Sequence, residues 1–161
     1  MIRLALVRHA KSDWSSPGLA DHDRPLNERG ERDAPVMAAR LAGEGFAPDV
    51  IVSSTALRAR TTAQAFADEF GMPVDLQRRL YAASGSTLLT AVSDAGAAGS
   101  ASVILVAHNP GITDLAYALS QERIQRMPTC AIARFAWDLG TQEWSAIDSV
   151  EPVEWSLDVP R

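Results

Sequence analysis

Alternating strand-like and helix-like segments predict a three-layer αβα domain with a mostly parallel sheet and an antiparallel edge strand. Three observations carry this prediction. The runs 2–7 and 102–107 are almost continuously apolar, the pattern of parallel strands covered on both faces. Each run leads into a histidine, His9 and His108, at the carboxyl edge where open α/β sheets take their ligands. Late in the chain, residues 130–137 and 144–150 alternate in the manner of a hairpin around Gly140.

The elements follow in order. Residues 11–26 are polar and broken by Pro17, Gly18 and Pro25, so they form a loop, long enough to be a functional one. Asn27 caps the next helix, with Glu28 and Glu31 favourably placed in its first turns. Val36, Met37, Leu41 and Phe46 are its helix-spaced apolar positions, Gly43 and Gly45 end it, and Pro35 predicts a displaced start or a kink. A strand over 49–54 follows, then a helix over 56–70 with Ala63, Phe66, Ala67 and Phe70 on one face and Gly71 as its stop. Val74 to Leu76 makes a short strand. The helix over 86–98 carries Leu88, Leu89 and Val92 inward, and the helix after Pro110 carries Leu115, Ala116 and Leu119. The tail from Glu151 has no readable pattern.

No linker, repeat or low-complexity tract divides the 161 residues, which read as a single domain over 1–161 with no insertion long enough for a cap domain. The formal net charge of −5 argues against a chain-wide affinity for nucleic acid or acidic lipid. The one cysteine, Cys130, excludes an internal disulfide and reads as a small core hydrophobe. No apolar run reaches the ~20 residues of a membrane span, and the run from Leu4 to Val7 is too short for a signal-peptide core. The expectation is a cytoplasmic monomer without cofactor, metal, membrane or nucleic-acid partner. Asp21-His22-Asp23 superficially resembles metal ligands, but adjacent residues rarely converge on one ion, so the stretch reads as a solvated loop. The tryptophans, three of them at 137, 144 and 155, read as packing residues.

Three strand ends supply Arg8, His9, Arg58 and His108. Arginines offer always-charged donor forks suited to phosphate oxygens. A neutral histidine with one free ring nitrogen can attack phosphorus, and neighbouring guanidinium charges favour the neutral form. Arg60 lies two residues along the helix from Arg58 and faces elsewhere, toward solvent. Lys11, Ser12, Arg24 and Asn27, on the first loop or its end, are further candidates for contact with substrate.

The stretches Leu6-Val7-Arg8-His9-Ala10-Lys11-Ser12, Ser53 to Ala63, and Val106-Ala107-His108-Asn109-Pro110-Gly111 resemble the three motifs of the histidine phosphatase (phosphoglycerate-mutase-like) superfamily. The closest resemblance is to its small branch of SixA-type phosphohistidine phosphatases, whose loop-to-helix signature is similar to Asp23-Arg24-Pro25-Leu26-Asn27-Glu28-Arg29-Gly30. The resemblance implies that His9 carries the phosphoryl group transiently while Arg8, Arg58 and His108 complete the phosphate pocket. It implies a phosphatase acting on phosphohistidine on a protein, or on a small phosphorylated metabolite. A phosphate-binding module without turnover is the alternative. Where many members of the superfamily place an acidic proton donor, this chain has Ala82 and Asn109.

Overall fold

Alternation along the strands decides the layers. In β1 (Ile2–Arg8), Leu4 and Leu6 face one side of the sheet and Ala5 and Val7 the other, and all four are fully buried. The same holds in β4 (Ser102–Ala107) for Val103 and Leu105 against Ile104 and Val106. Strands buried on both faces need helices above and below. A computed structural model, which describes residues 1–161, has them.

On one face lie α1 (Glu28–Gly43) and α2 (Leu57–Phe70), packing Met37, Ala38, Leu41, Ala63 and Phe66 onto the sheet. On the other lie α3 (Gly85–Ala97) and α4 (Gly111–Leu119), contributing Leu88, Val92, Ile112, Leu115 and Leu119. The sheet also contains β2 (Val50–Ser53), β3 (Val74–Leu76), β5 (Ile132–Trp137) and β6 (Glu154–Asp158), in the order β3-β2-β4-β1-β5-β6. The first four strands run parallel; β5 and β6 form the antiparallel side. The three-layer α/β class with its antiparallel edge is therefore as expected.

One local expectation fails and two others are sharpened by the structure. Residues 144–150 are not a strand: Thr141–Ala146 is a 3-10 turn, and β5 pairs instead with β6, in the tail that had no readable pattern. Trp144 is the cause. It is buried against α3 at Gly96, where an added Cβ would sit 1.8 Å from its ring, and its Nε1 donates to the Ser100 carbonyl at 2.7 Å. β6 is hard to read because it is an edge strand with only half-buried or exposed side chains. Secondly, α1 starts at Glu28 despite Pro35. Both Pro35 and Glu31 lie on its exposed face, where solvent can take the carbonyl that a proline leaves without a partner. Val36 shares that face and is exposed, and Phe46 packs from beyond the helix end. Thirdly, residues 11–26 are more ordered than a bare loop: Ser12 bridges Leu26 and Asp21–Asp23 forms a 3-10 turn.

No helix is long and apolar enough to cross a membrane. Cys130 is buried, and burial pushes its thiol up to about 12.

Candidate active site

Parallel register brings the three strand ends level. Arg8 sits opposite Ala107 and Ser53 opposite Val106, so the next residues along, His9, His108 and Ser54, emerge in one row. The backbone extends that row past the strands: His9 N–H donates to the Ala107 carbonyl (3.1 Å) and Ser54 N–H to that of Val106 (3.0 Å). Thr62 then ties α2 to the end of β1, accepting from Ala10 N–H (2.9 Å) and donating to the Arg58 carbonyl (2.7 Å). Gly30 lets α1 approach the same strand end, since a Cβ there would lie 2.2 Å from the Lys11 carbonyl oxygen.

A pocket of about 290 Å³ opens on this edge, lined by Arg8, His9, Lys11, Ser12, Trp14, Arg24, Arg58, His108, Asn109 and Thr129. All four residues expected to carry chemistry are in it, with three of the four further candidates, Lys11, Ser12 and Arg24. Asn27 is not. Its side chain is spent on capping α1, where Oδ1 accepts from Gly30 N–H at 2.9 Å, so a role in contacting substrate does not fit.

The tautomer of His9 follows from its partner. Nδ1 lies 2.7 Å from the Ala10 carbonyl oxygen, which can only accept, so Nδ1 carries the proton and Nε2 keeps its lone pair. His9 is neutral as well as oriented. Burial pushes it down to about 3, with smaller contributions from His108, Arg58 and Arg8. Desolvation, ahead of the guanidinium charges that the sequence pointed to, is thus the larger cause. His108, whose ring centroid is 5.1 Å from that of His9, is pushed down to about 4, again first by burial and then by Arg58. Its Nε2 shares a 2.7 Å hydrogen bond with Ser54 Oγ. Near neutral pH it therefore offers hydrogen bonding rather than charge.

The arginines are held from behind. Arg8 Nη1 donates to the Met127 carbonyl (3.0 Å), and Arg58 donates through Nη1 to the Asp21 carbonyl (2.7 Å) and through Nη2 to Asp21 Oδ2 (3.0 Å). Arg24 is buried, with Nη1 on Ser12 Oγ (2.7 Å), Nε and Nη2 on Asp21 Oδ1 (3.2 and 3.1 Å), and Trp14 stacked 3.5 Å from its Cζ. A guanidinium has five donors, so each retains capacity for an anion. Arg60, by contrast, is exposed, as its helical offset predicts.

Two residues were misread or missed. Asp21 is not merely solvated: besides both arginines it accepts from the Tyr81 hydroxyl at 2.5 Å, and these partners hold its carboxyl well below the usual range. Trp14 is not a packing residue; 70% of it is exposed at the pocket rim. The only signal for Asp21 was its spacing three residues before Arg24, which a solvated loop explains equally well. His22 bonds Thr55 Oγ1 at 2.8 Å, and no cluster of three or more His, Cys, Asp or Glu side chains forms at the 21–23 turn.

Residues 4–84 match the family model described as the histidine phosphatase superfamily, branch 1. An uncharacterized protein of Mycobacterium tuberculosis is 36% identical over 138 residues, covering 79% of this chain and 84% of its own. An uncharacterized chloroplastic protein of Arabidopsis thaliana is 50% identical over 60 residues; the match covers 37% of this chain and only 28% of the plant protein. Among solved structures, an Agrobacterium tumefaciens protein assigned as a phosphohistidine phosphatase SixA superposes with a TM-score of 0.75 at 34% identity, over 83% of this chain and 91% of that one.

Proposed function

Because the chain belongs to the histidine phosphatase superfamily, in its SixA-type branch, we propose that it is a phosphatase working through a covalent phosphohistidine on His9, with phosphohistidine on a protein as its substrate. The observation that carries this reading is the neutral His9 ring, pinned through Nδ1 to the Ala10 carbonyl and leaving Nε2 free in a pocket with Arg8, Arg58 and His108. The similarity to the Agrobacterium protein supports the choice of substrate.

In the first step Nε2 of His9 attacks phosphorus in line. The N–P bond forms as the bond to the leaving group breaks, and the leaving group departs with that electron pair. Arg8 and Arg58 hold the equatorial oxygens, where developing charge is worth most to stabilise, and His108 adds a hydrogen bond. In the second step water attacks the same phosphorus, the N–P electron pair returns to Nε2, and the water's proton passes to solvent. The arginines supply the positive charge a metal would otherwise bring, so the proposed chemistry is metal-independent.

Substrate choice follows from the acids near the pocket. Ala82 and Asn109 cannot donate a proton, and Asp21 is held as a carboxylate by two arginines and a tyrosine. An alkoxide leaving group needs a proton as its bond breaks; an imidazole already protonated from solvent does not. Turnover of phosphohistidine, and of p-nitrophenyl phosphate, should therefore exceed that of alkyl phosphates by a factor on the order of 10² or more, the usual worth of a general acid. Equal rates on serine or sugar phosphates would point instead to a small-metabolite phosphatase with a donor elsewhere. Binding of phosphate with no turnover of any substrate would make the domain a binding module.

A further inference from the structure

We propose that Asp21 is the positioning residue of the phosphate pocket, one carboxylate that sets Arg58 and Arg24 relative to each other and to His9. The proposal rests on the reading of Arg58 as a donor to the transferring phosphoryl group. Its basis is geometric. Each carboxylate oxygen serves a different guanidinium, Oδ1 taking Arg24 through Nε (3.2 Å) and Nη2 (3.1 Å) and Oδ2 taking Arg58 Nη2 (3.0 Å). The Asp21 backbone carbonyl takes Arg58 Nη1 at 2.7 Å, so Arg58 is gripped at both terminal nitrogens by one residue. The Tyr81 hydroxyl donates to Oδ2 at 2.5 Å and fixes the carboxylate in turn. Three separate pieces of chain, the first loop, the start of α2 and the segment before α3, thus meet on a side chain that is itself half exposed.

The contacts have two consequences. A planar guanidinium held at both terminal nitrogens cannot swing, and each of those nitrogens keeps one N–H for substrate oxygen. The shared negative charge also offsets the repulsion that two adjacent guanidinium groups would feel. Removing Asp21 should therefore loosen Arg58 while making the pocket more positive. Such a change separates two quantities that usually fall together, ground-state anion binding and transition-state stabilisation.

The test uses the full chain and the variants Asp21→Ala, Asp21→Asn and Asp21→Glu. Orthophosphate and vanadate affinities are read by calorimetry, kcat and KM on p-nitrophenyl phosphate, and thermal midpoint by scanning. Asp21→Ala should bind orthophosphate as tightly as the wild type or tighter. It should lose kcat and affinity for vanadate, a mimic of the five-coordinate phosphorus, on the order of 10- to 100-fold, the size of effect expected from a small misplacement of a donor. Asp21→Glu should recover part of that loss. Orthophosphate and vanadate affinity falling in parallel with the thermal midpoint would make Asp21 merely structural and overturn the proposal. So would a rise in kcat/KM, which would make Asp21 a competitor for Arg58, or a vanadate affinity unchanged in Asp21→Ala. Absence of turnover in the wild type would instead defeat the proposed function, and the vanadate measurement would still judge Asp21.

Discussion

The sheet gathers arginines at both of its ends. At the carboxyl end of β1, β2 and β4, Arg8, Arg24, Arg58 and Lys11 surround two neutral histidines, and the single carboxylate Asp21 is bonded to Arg24 and Arg58, so positive charge is in excess. At the opposite end a groove of about 480 Å³, larger than the 290 Å³ pocket, is lined by Arg3 and Arg134 beside Glu44 and Glu154, so its charges cancel. There Arg134 is paired to Glu44 at 2.5 Å, and no histidine or cysteine lies in the lining. The difference teaches that volume is a poor guide to chemistry. What distinguishes the smaller cavity is an excess of cations beside a histidine that burial keeps unprotonated.

The sharpest way to break this comparison is to remove the pocket arginine of α2 and, separately, its exposed neighbour on the same helix. Arg58→Ala should lower kcat by a factor on the order of 10² or more, the usual worth of one transition-state donor. Arg60→Ala, two residues further along the same helix and exposed, should stay within a few-fold of wild type on the same scale. Comparable losses in steady-state kinetics would mean that Arg58 holds the fold rather than the phosphoryl group.

Neutrality of the two histidines predicts a pH signature in stability. A histidine whose folded pKa is depressed contributes stability that is present above its unfolded value, near 6.5, and is lost as pH falls toward the folded value. With His9 at about 3 and His108 at about 4, the window runs from roughly pH 6.5 down to those values. The thermal midpoint should therefore drop progressively below pH 6.5, and His108→Gln should flatten that slope. A midpoint that rises on acidification through this range would mean that the pair is charged in the folded protein.

The smallest effect belongs to the groove. Arg3→Ala and Arg134→Ala should change kcat/KM by less than about twofold, as surface substitutions away from special features do. A tenfold loss in either would link the two ends of the sheet and undo the contrast between them.

The same contrast explains what could be read in the sequence. Strand ends are legible because a continuous apolar run stops abruptly, and the parallel register then makes Arg8, His9 and His108 neighbours without any further information. Arg58 follows because it falls on the first turn after the next strand. Asp21, Trp14 and Tyr81 were not legible in this way. Their places depend on how residues 11–26 fold back over the pocket, and a polar loop carries no periodicity to reveal that. Asn27 was legible as a cap, and its capping bond is what keeps it from substrate. At the far edge, the alternation over 144–150 was a false signal, because the buried residues there, Trp144 and Ile147, are three apart, the spacing of a 3-10 turn rather than of a strand.

The central claim is that His9 is the nucleophile, and the most direct test is to trap the phosphorylated protein. Wild-type chain mixed with labelled phosphohistidine or p-nitrophenyl phosphate and quenched rapidly without acid should carry a label that is acid-labile and base-stable. Mapping should place it on Nε2 of His9, since Nδ1 is committed to the Ala10 carbonyl, and His9→Ala should carry none. A label that persists in His9→Ala, or that maps to His108, would contradict the account.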